Sequence, residues 1–347
     1  MPISAAESIS PAFQRAKQQL FHPFRFGQWA RLAFVGFLAG EMGSGGCNPS
    51  FNVPWPNHQS GSQHLLATGW SPQLANHPAI IVVLFVLFGA VTLGVGTLFV
   101  YINSVMRFVL FDSVVTGECH VRKNWVLRRP HGRRLFWWQL LFSLATMATI
   151  VIVIGVPLAI AWGLGLFHNP SQHILPLVLG GTLLFLVFLV LIVVLAVIQV
   201  MTKDFVVPQM ALEEITAMDA WRRLWPLLKA EKGGYAGYIG MKIILSIAAG
   251  IVLGIITIVA LLVLLIPVGG AGAVAVLAGK AAGLTWSAFT ITLVVIAACL
   301  ALAVFVFLAA LISVPAIVFF PAYSIYFFAA RYAPLSELLW PRPPAPV

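Results

Sequence analysis

The sequence predicts an all-α, polytopic transmembrane helical bundle of about six spans, arranged as three helical hairpins with amphipathic interfacial helices beside them. Composition is the first reason. Of 347 residues, 61% are hydrophobic and only 9% charged, with a mean hydropathy of +0.98, against roughly 25% charge in an ordinary soluble domain. The length of the apolar runs is the second, since several exceed the roughly 20 residues needed to cross a bilayer. The third is the placement of charge. Residues 32–106 contain no Lys or Arg, which marks a translocated stretch under the positive-inside rule. With both termini cytoplasmic, every Lys and Arg except Lys280 lies in or beside a cytoplasmic segment. The expected location is therefore the prokaryotic cytoplasmic (inner) membrane.

Three regions are expected: a cytoplasmic amphipathic segment (1–25), a six-span transmembrane domain (26–334) and a Pro-rich cytoplasmic tail (335–347). In the first, Ser10 and Pro11 read as an N-cap and first helical residue. Phe13, Ala16, Leu20 and Phe24 then recur at helical spacing, with Gln14, Arg15, Lys17 and Gln18 between them, as in a helix lying on the membrane surface. The segment lacks the apolar core of a cleavable signal peptide, so the first helix is expected to be a retained insertion signal.

The first span covers residues 29–42 and is short, with Glu41 at its end; a re-entrant helix is its rival. Residues 43–77 are rich in Gly, Ser, Asn and Pro and read as an irregular outer loop. The second span covers 78–101, with Arg107 and Asp112 at its exit. A basic loop follows, holding Arg122, Lys123, Arg128, Arg129, Arg133 and Arg134. The third span covers 136–162, with Pro157 as a kink, and the fourth 175–200, with Lys203 and Asp204 at its exit. A mixed-charge amphipathic stretch leads to the fifth span, 238–266. A Gly/Ala-rich outer segment, 268–283, carries Lys280. The sixth span, 288–320, is longer than a roughly 30 Å hydrocarbon core. It must tilt, break near Pro315 or protrude.

Arg107, Glu118 and Trp125 recur at one fixed offset as Lys203, Glu214 and Trp221. Each set follows an outside-to-inside helix and precedes a return helix, which suggests duplication of a helix pair.

Two segments carry a family resemblance: VVPQMALEEITAMDAWRRLWPLLKAEKGGYAGY (206–238) and FHPFRFGQWARLAFVGFLAG (21–40). Both resemble a broad group of uncharacterised prokaryotic six-helix membrane proteins, itself similar to the membrane domain attached to some glycerophosphodiester phosphodiesterases. The matching positions are Pro208, Glu213, Ala220, Trp221, Arg222 and Leu228. The resemblance implies the architecture. The soluble phosphodiesterase domain has no counterpart here, so that activity does not carry over.

Composition also bounds function. The net charge of +10 does not imply nucleic acid, because the basic residues flank apolar spans. They suit anionic lipid headgroups instead, at about 1 kcal/mol per residue near the surface. No HExxH, GxSxG or P-loop occurs. The cores of spans two to six read as almost free of ionisable side chains, which disfavours proton relays and ion-coupled transport. Asp112, Arg107 and His120 are the only cluster that an enzyme at the inner interface would use. No catalytic residue, cofactor or metal is expected. His58, His64, His168 and His173, with Cys47, fit no compact metal motif and read as solvated loop residues. Cys47, Cys119 and Cys299 fall on different sides of the membrane, so no disulfide is expected.

Two sets of residues stand out. Ser246, Gly250 and Gly254 recur every four residues, as small residues do where helix backbones approach; packing within the monomer is preferred to a dimer seam. In residues 213–232, Met218, Trp221, Trp225 and Leu228 form an apolar stripe with Arg222, Arg223, Lys229 and Lys232 around it. Such a helix lies along the inner leaflet, Trp at the interface and Arg toward phosphates, or docks a partner protein. Asp219 pairing with Arg222 or Arg223 would add only about 0.3–0.5 kcal/mol. The expected function is non-catalytic engagement of membrane lipids, anionic ones included, or of an envelope protein or a second copy of the chain. The alternative is a transporter or permease for a lipid or other apolar molecule, which needs no buried charge.

Overall fold

The computed structural model describes residues 4–41, 78–167, 173–281 and 288–340. All regular structure among them is helical. The elements are α1 (Ile9–Phe21), α2 (Phe26–Leu38), α3 (Pro78–Thr116), α4 (Val121–Gly163), α5 (Ile174–Met201), α6 (Val207–Glu213), α7 (Ala217–Ala230), α8 (Lys232–Ala281), α9 (Ala288–Ala329) and α10 (Ala333–Leu339). A π-helical turn, Thr202–Val206, joins α5 to α6. Five stretches among the described residues are long and apolar enough to cross a membrane: Val82–Thr116, Val121–Gly163, Ile174–Glu213, Lys232–Gly279 and Phe289–Ala329. The chain is thus a multi-pass membrane protein. α2 has 13 residues and reaches about 20 Å, less than the hydrocarbon thickness.

The long helices outrun the spans read from hydropathy alone. α3 continues to Thr116, and α4 already begins at Val121 inside the basic loop, because Lys and Arg are good helix formers. α8 passes through Pro267 and the Gly/Ala-rich stretch to Ala281, and α9 passes through Pro315 and Pro321. Prolines are tolerated there because neighbouring helices and side chains satisfy the freed backbone groups. The N-terminal helix starts at Ile9 rather than after Ser10.

The core is concentrated at the charged end of the bundle. One cluster joins α1 and α2, the ends of α3 and α9, the start of α4 and α8, and the inward residues between Met201 and Leu224. Farther along, the helix surfaces carry exposed Leu, Ile, Val and Phe. Lipid tails are as apolar as these side chains, so burying them in protein brings no hydrophobic gain.

α1 docks by its small residues. Ala12, Ala16 and Leu20 face inward, while Phe13 and Phe24 are exposed, so the large aromatics of the expected stripe do not form its docking face. The polar side of α1 closes the end of α3, whose last carbonyls lack intrahelical donors. Arg15 Nε donates to the Val114 carbonyl at 3.1 Å and Nη2 to that of Val115. Gln19 Nε2 donates to Ser113 O at 2.7 Å, and Gln28 Nε2, from α2, to Gly117 O at 2.7 Å. A cation at a helix C-terminus is also favoured by the helix dipole.

α3 and α4 touch closely at Gly132, where an added Cβ would fall 2.9 Å from the Val105 Cα. Near that contact Arg128 ties three helices. Its Nε and Nη2 donate to the Asp112 carboxylate at 2.8 and 2.6 Å, and its Nη1 donates to the Ala211 carbonyl at 2.8 Å.

Candidate functional site

Five ionisable side chains converge where α2, α3, α5 and α8 meet: Glu41, Arg107, Lys203, Asp204 and Lys242. Glu41 is placed by the end of α2. Gly40, at φ +73°, turns the chain left-handed. Its N–H donates to Phe37 O at 3.1 Å, and the Glu41 N–H donates to Gly36 O at 2.9 Å. This is a Schellman cap, which favours Gly at the left-handed position. Asn103 Nδ2 adds a bond to Leu38 O at 2.9 Å. The carboxylate so delivered is 2% exposed and pairs with Lys203.

The π-helical turn aims two neighbouring residues at different helices. Pro208 has no N–H, so the Asp204 carbonyl loses its α-helical donor. The turn widens upstream, with the Val207 N–H reaching back five residues to Thr202 O. Lys203 then meets Glu41 of the α2 end, and Asp204 meets Lys242 of α8. Such turns recur at functional sites. Tyr238 sits one helical turn before Lys242, on the same face, and donates its hydroxyl to Asp204 at 2.9 Å. Its ring stacks on Tyr323 at 5.1 Å. Phe205 contacts Tyr235, Tyr238, Phe327 and Phe328, closing the cluster on one side with aromatic rings.

Arg107 is the third cation. Its Nε and Nη1 are buried and have no hydrogen-bond partner among the described residues. On one side of it a cavity of about 30 Å³ is lined by Glu41, Lys203 and Asp204, room for one water. On the other lies a groove of about 650 Å³ between α5 and α8. Arg107, Lys203 and Lys242 form its polar end; Val200, Ile243, Ile247 and Ile251 line the rest. A second groove of about 650 Å³ lies where Phe13, Lys17 and Phe21 of α1 meet α8 and α9.

The α7 helix is well made. Thr216 caps it by accepting from the Asp219 N–H, as Thr does at N-caps. Its inward face is Ala217, Ala220 and Leu224, with Trp221 and Leu228 packed against the core. Met218 and Trp225 are exposed, so the expected stripe splits between two faces. Arg222, Lys229 and Lys232 are exposed, and Lys229 lies 5.5 Å from the Trp225 ring centroid. Arg223 is engaged with Glu213, which also accepts from Tyr332. Burial pushes the Tyr332 hydroxyl up, against the opposing pull of Arg223. At the end of α7, Glu231 takes two hydrogen bonds from Arg331 at 2.7 Å each. These bonds, outweighing desolvation, hold its carboxyl below the usual range.

Ser246 and Gly250 line the α5–α8 groove, and a Cβ at Gly254 would meet nothing within 4 Å. The expected trio of Asp112, Arg107 and His120 is not assembled. Asp112 pairs with Arg128, His120 lies 3.8 Å from Glu118 in an exposed turn, and Arg107 is in the buried cluster. Cys119 is buried, which pushes its thiol up. Cys47, His58, His64 and His168 lie outside the described residues; His173 precedes α5. No group of three metal-ligating side chains occurs among the described residues.

The buried cluster itself escaped the reading from sequence, which took the span cores as almost free of charge. Four of its members look like ordinary span exits. Lys242 alone falls inside an apolar run, and its spacing from Tyr238 was the available signal.

A family profile described as a family of unknown function, DUF7544, matches residues 3–338. No curated protein and no solved structure matches the chain.

Proposed function

We propose that this chain, which belongs to the DUF7544 family, is a non-catalytic protein of the prokaryotic cytoplasmic membrane that engages anionic lipids at its charged end. In this reading six passes put both termini in the cytoplasm, and the five long helices supply five of them; α2, which leads to Glu41 beside the inner-exit residues Arg107 and Lys203, does not itself complete a pass. The observation that carries the reading is the outward face of α7. Met218, Arg222, Trp225 and Lys229 share it, exposed beside the membrane-crossing helices. Apolar and aromatic groups insert at the headgroup level while Arg and Lys meet phosphates. The resemblance of residues 21–40 and 206–238 to a group of uncharacterised six-helix membrane proteins supports the architecture and carries no enzyme activity with it.

Lipid transport is the second reading, favoured by the groove between α5 and α8. Either function is compatible with self-association or an envelope partner.

The test places the protein in bilayers mixing phosphatidylglycerol and phosphatidylcholine and measures which lipid is enriched around it. Phosphatidylglycerol enrichment is expected for the unaltered chain and a clear drop for the combined Arg222→Gln, Lys229→Gln, Lys232→Gln variant. Arg223 is kept because it pairs with Glu213. Equal enrichment in the two proteins would sink the α7 reading.

A further inference from the structure

We propose that the groove between α5 and α8 binds one anionic phospholipid, with its phosphate at Arg107, Lys203 and Lys242 and an acyl chain along Ile243, Ile247 and Ile251. This deepens, and rests on, the lipid-engaging reading, and names a site within the bundle that is distinct from α7.

Charge is the first argument. The cluster sets three cations against two carboxylates. Lys203 is paired with Glu41 and Lys242 with Asp204, and Arg107 lies beside the same two carboxylates, so the cluster as a whole carries one positive charge in excess. Buried guanidinium N–H groups without acceptors are costly. Nε and Nη1 of Arg107 are in that condition among the described residues. An anion at the groove's polar end balances the cluster's excess charge, and a guanidinium fork matches phosphate oxygens in bidentate fashion.

Shape is the second argument. The groove holds about 650 Å³, within the range of ligand sites. Ser246 and Gly250 keep bulk out of its wall. Ile243, Ile247 and Ile251 line it and are more than half exposed, so the groove is open along the face that meets lipid tails. A free phosphate would use only the cationic end and leave the apolar walls unfilled. A phosphatidylcholine headgroup would bring a cation into a site that already has one in excess. Headgroup and walls together select a phosphate with a net negative headgroup and an attached chain.

The purified full-length protein in mild detergent is titrated with phosphatidylglycerol, phosphatidylcholine or inorganic phosphate, and bound species are counted by native mass spectrometry. One phosphatidylglycerol per chain is expected, bound roughly tenfold or more over phosphatidylcholine. Millimolar inorganic phosphate is expected not to displace it. Arg107→Gln is expected to weaken this species about tenfold or more. Ile247→Trp fills the apolar wall from a lipid-exposed position, leaves the ion pairs untouched and is expected to act likewise at an unchanged unfolding temperature. The Arg222→Gln, Lys229→Gln pair on α7 is expected to leave this one lipid bound. Phosphatidylglycerol retention unaltered by both Arg107→Gln and Ile247→Trp overturns the groove site while leaving lipid engagement standing. Displacement by inorganic phosphate overturns the lipid assignment. No preference for phosphatidylglycerol in the unaltered chain overturns both this site and the reading on which it rests.

Discussion

Replacing Asp204 by Ala is expected to cost about 3–5 kcal/mol of stability, seen as a large fall in unfolding temperature in detergent and in the yield of folded protein. Asp204 is 3% exposed and accepts from both Tyr238 and Lys242. Its removal strands a buried ammonium and a buried phenol, and it tilts the cluster from three cations against two carboxylates to three against one. The size of the loss comes from the groups left behind, not from the attraction of the pair. Joint replacement, Asp204→Leu with Lys242→Met, is therefore expected to recover much of the stability, since an ion pair exchanged whole for apolar groups of similar volume is often neutral. If Asp204→Ala unfolds at the temperature of the unaltered protein, the cluster does not hold α5 to α8.

Arg128→Ala is the second substitution with a large expected effect, on the order of 2–4 kcal/mol. The side chain joins α3, α4 and α6 through Asp112 and the Ala211 carbonyl. Arg128 and Asp112 are 15% and 12% exposed, so solvent does not readily replace the lost partner. Arg128→Lys keeps the charge but presents one nitrogen in place of a fork, and is expected to recover less than half of the loss. Arg129→Ala, on an exposed neighbour, is the control and is expected to stay within about 0.5 kcal/mol of the unaltered chain. A loss at Arg128 no larger than at Arg129 would show that the three-way tie carries no weight.

Much of the scaffold was legible in the sequence because apolar run length and helical period are local properties. The basic stretches were visible for the same reason. Two kinds of feature were not. The faces that dock on the protein were not read: the apolar stripes were given to the membrane surface, whereas α1 docks by Ala12 and Ala16, and α7 by Ala217 and Ala220. Beside lipid, small residues let backbones approach, and Phe13 or Trp225 need no protein to cover them. The buried cluster depends on long-range placement. Glu41 arrives by a Schellman cap, Lys203 and Asp204 by a π-helical turn set before Pro208, and Arg107 by a helix that continues past its expected span. Each looks locally like a charge at a membrane exit, and nothing in their spacing says that they meet.

Native mass spectrometry of the protein extracted gently from its own membrane tests lipid engagement most directly. Retention of acidic phospholipid, at a higher ratio to zwitterionic lipid than in the surrounding membrane, is the result expected. Retention in the same proportion as the bulk membrane, or a clean protein oligomer carrying no lipid, would contradict it.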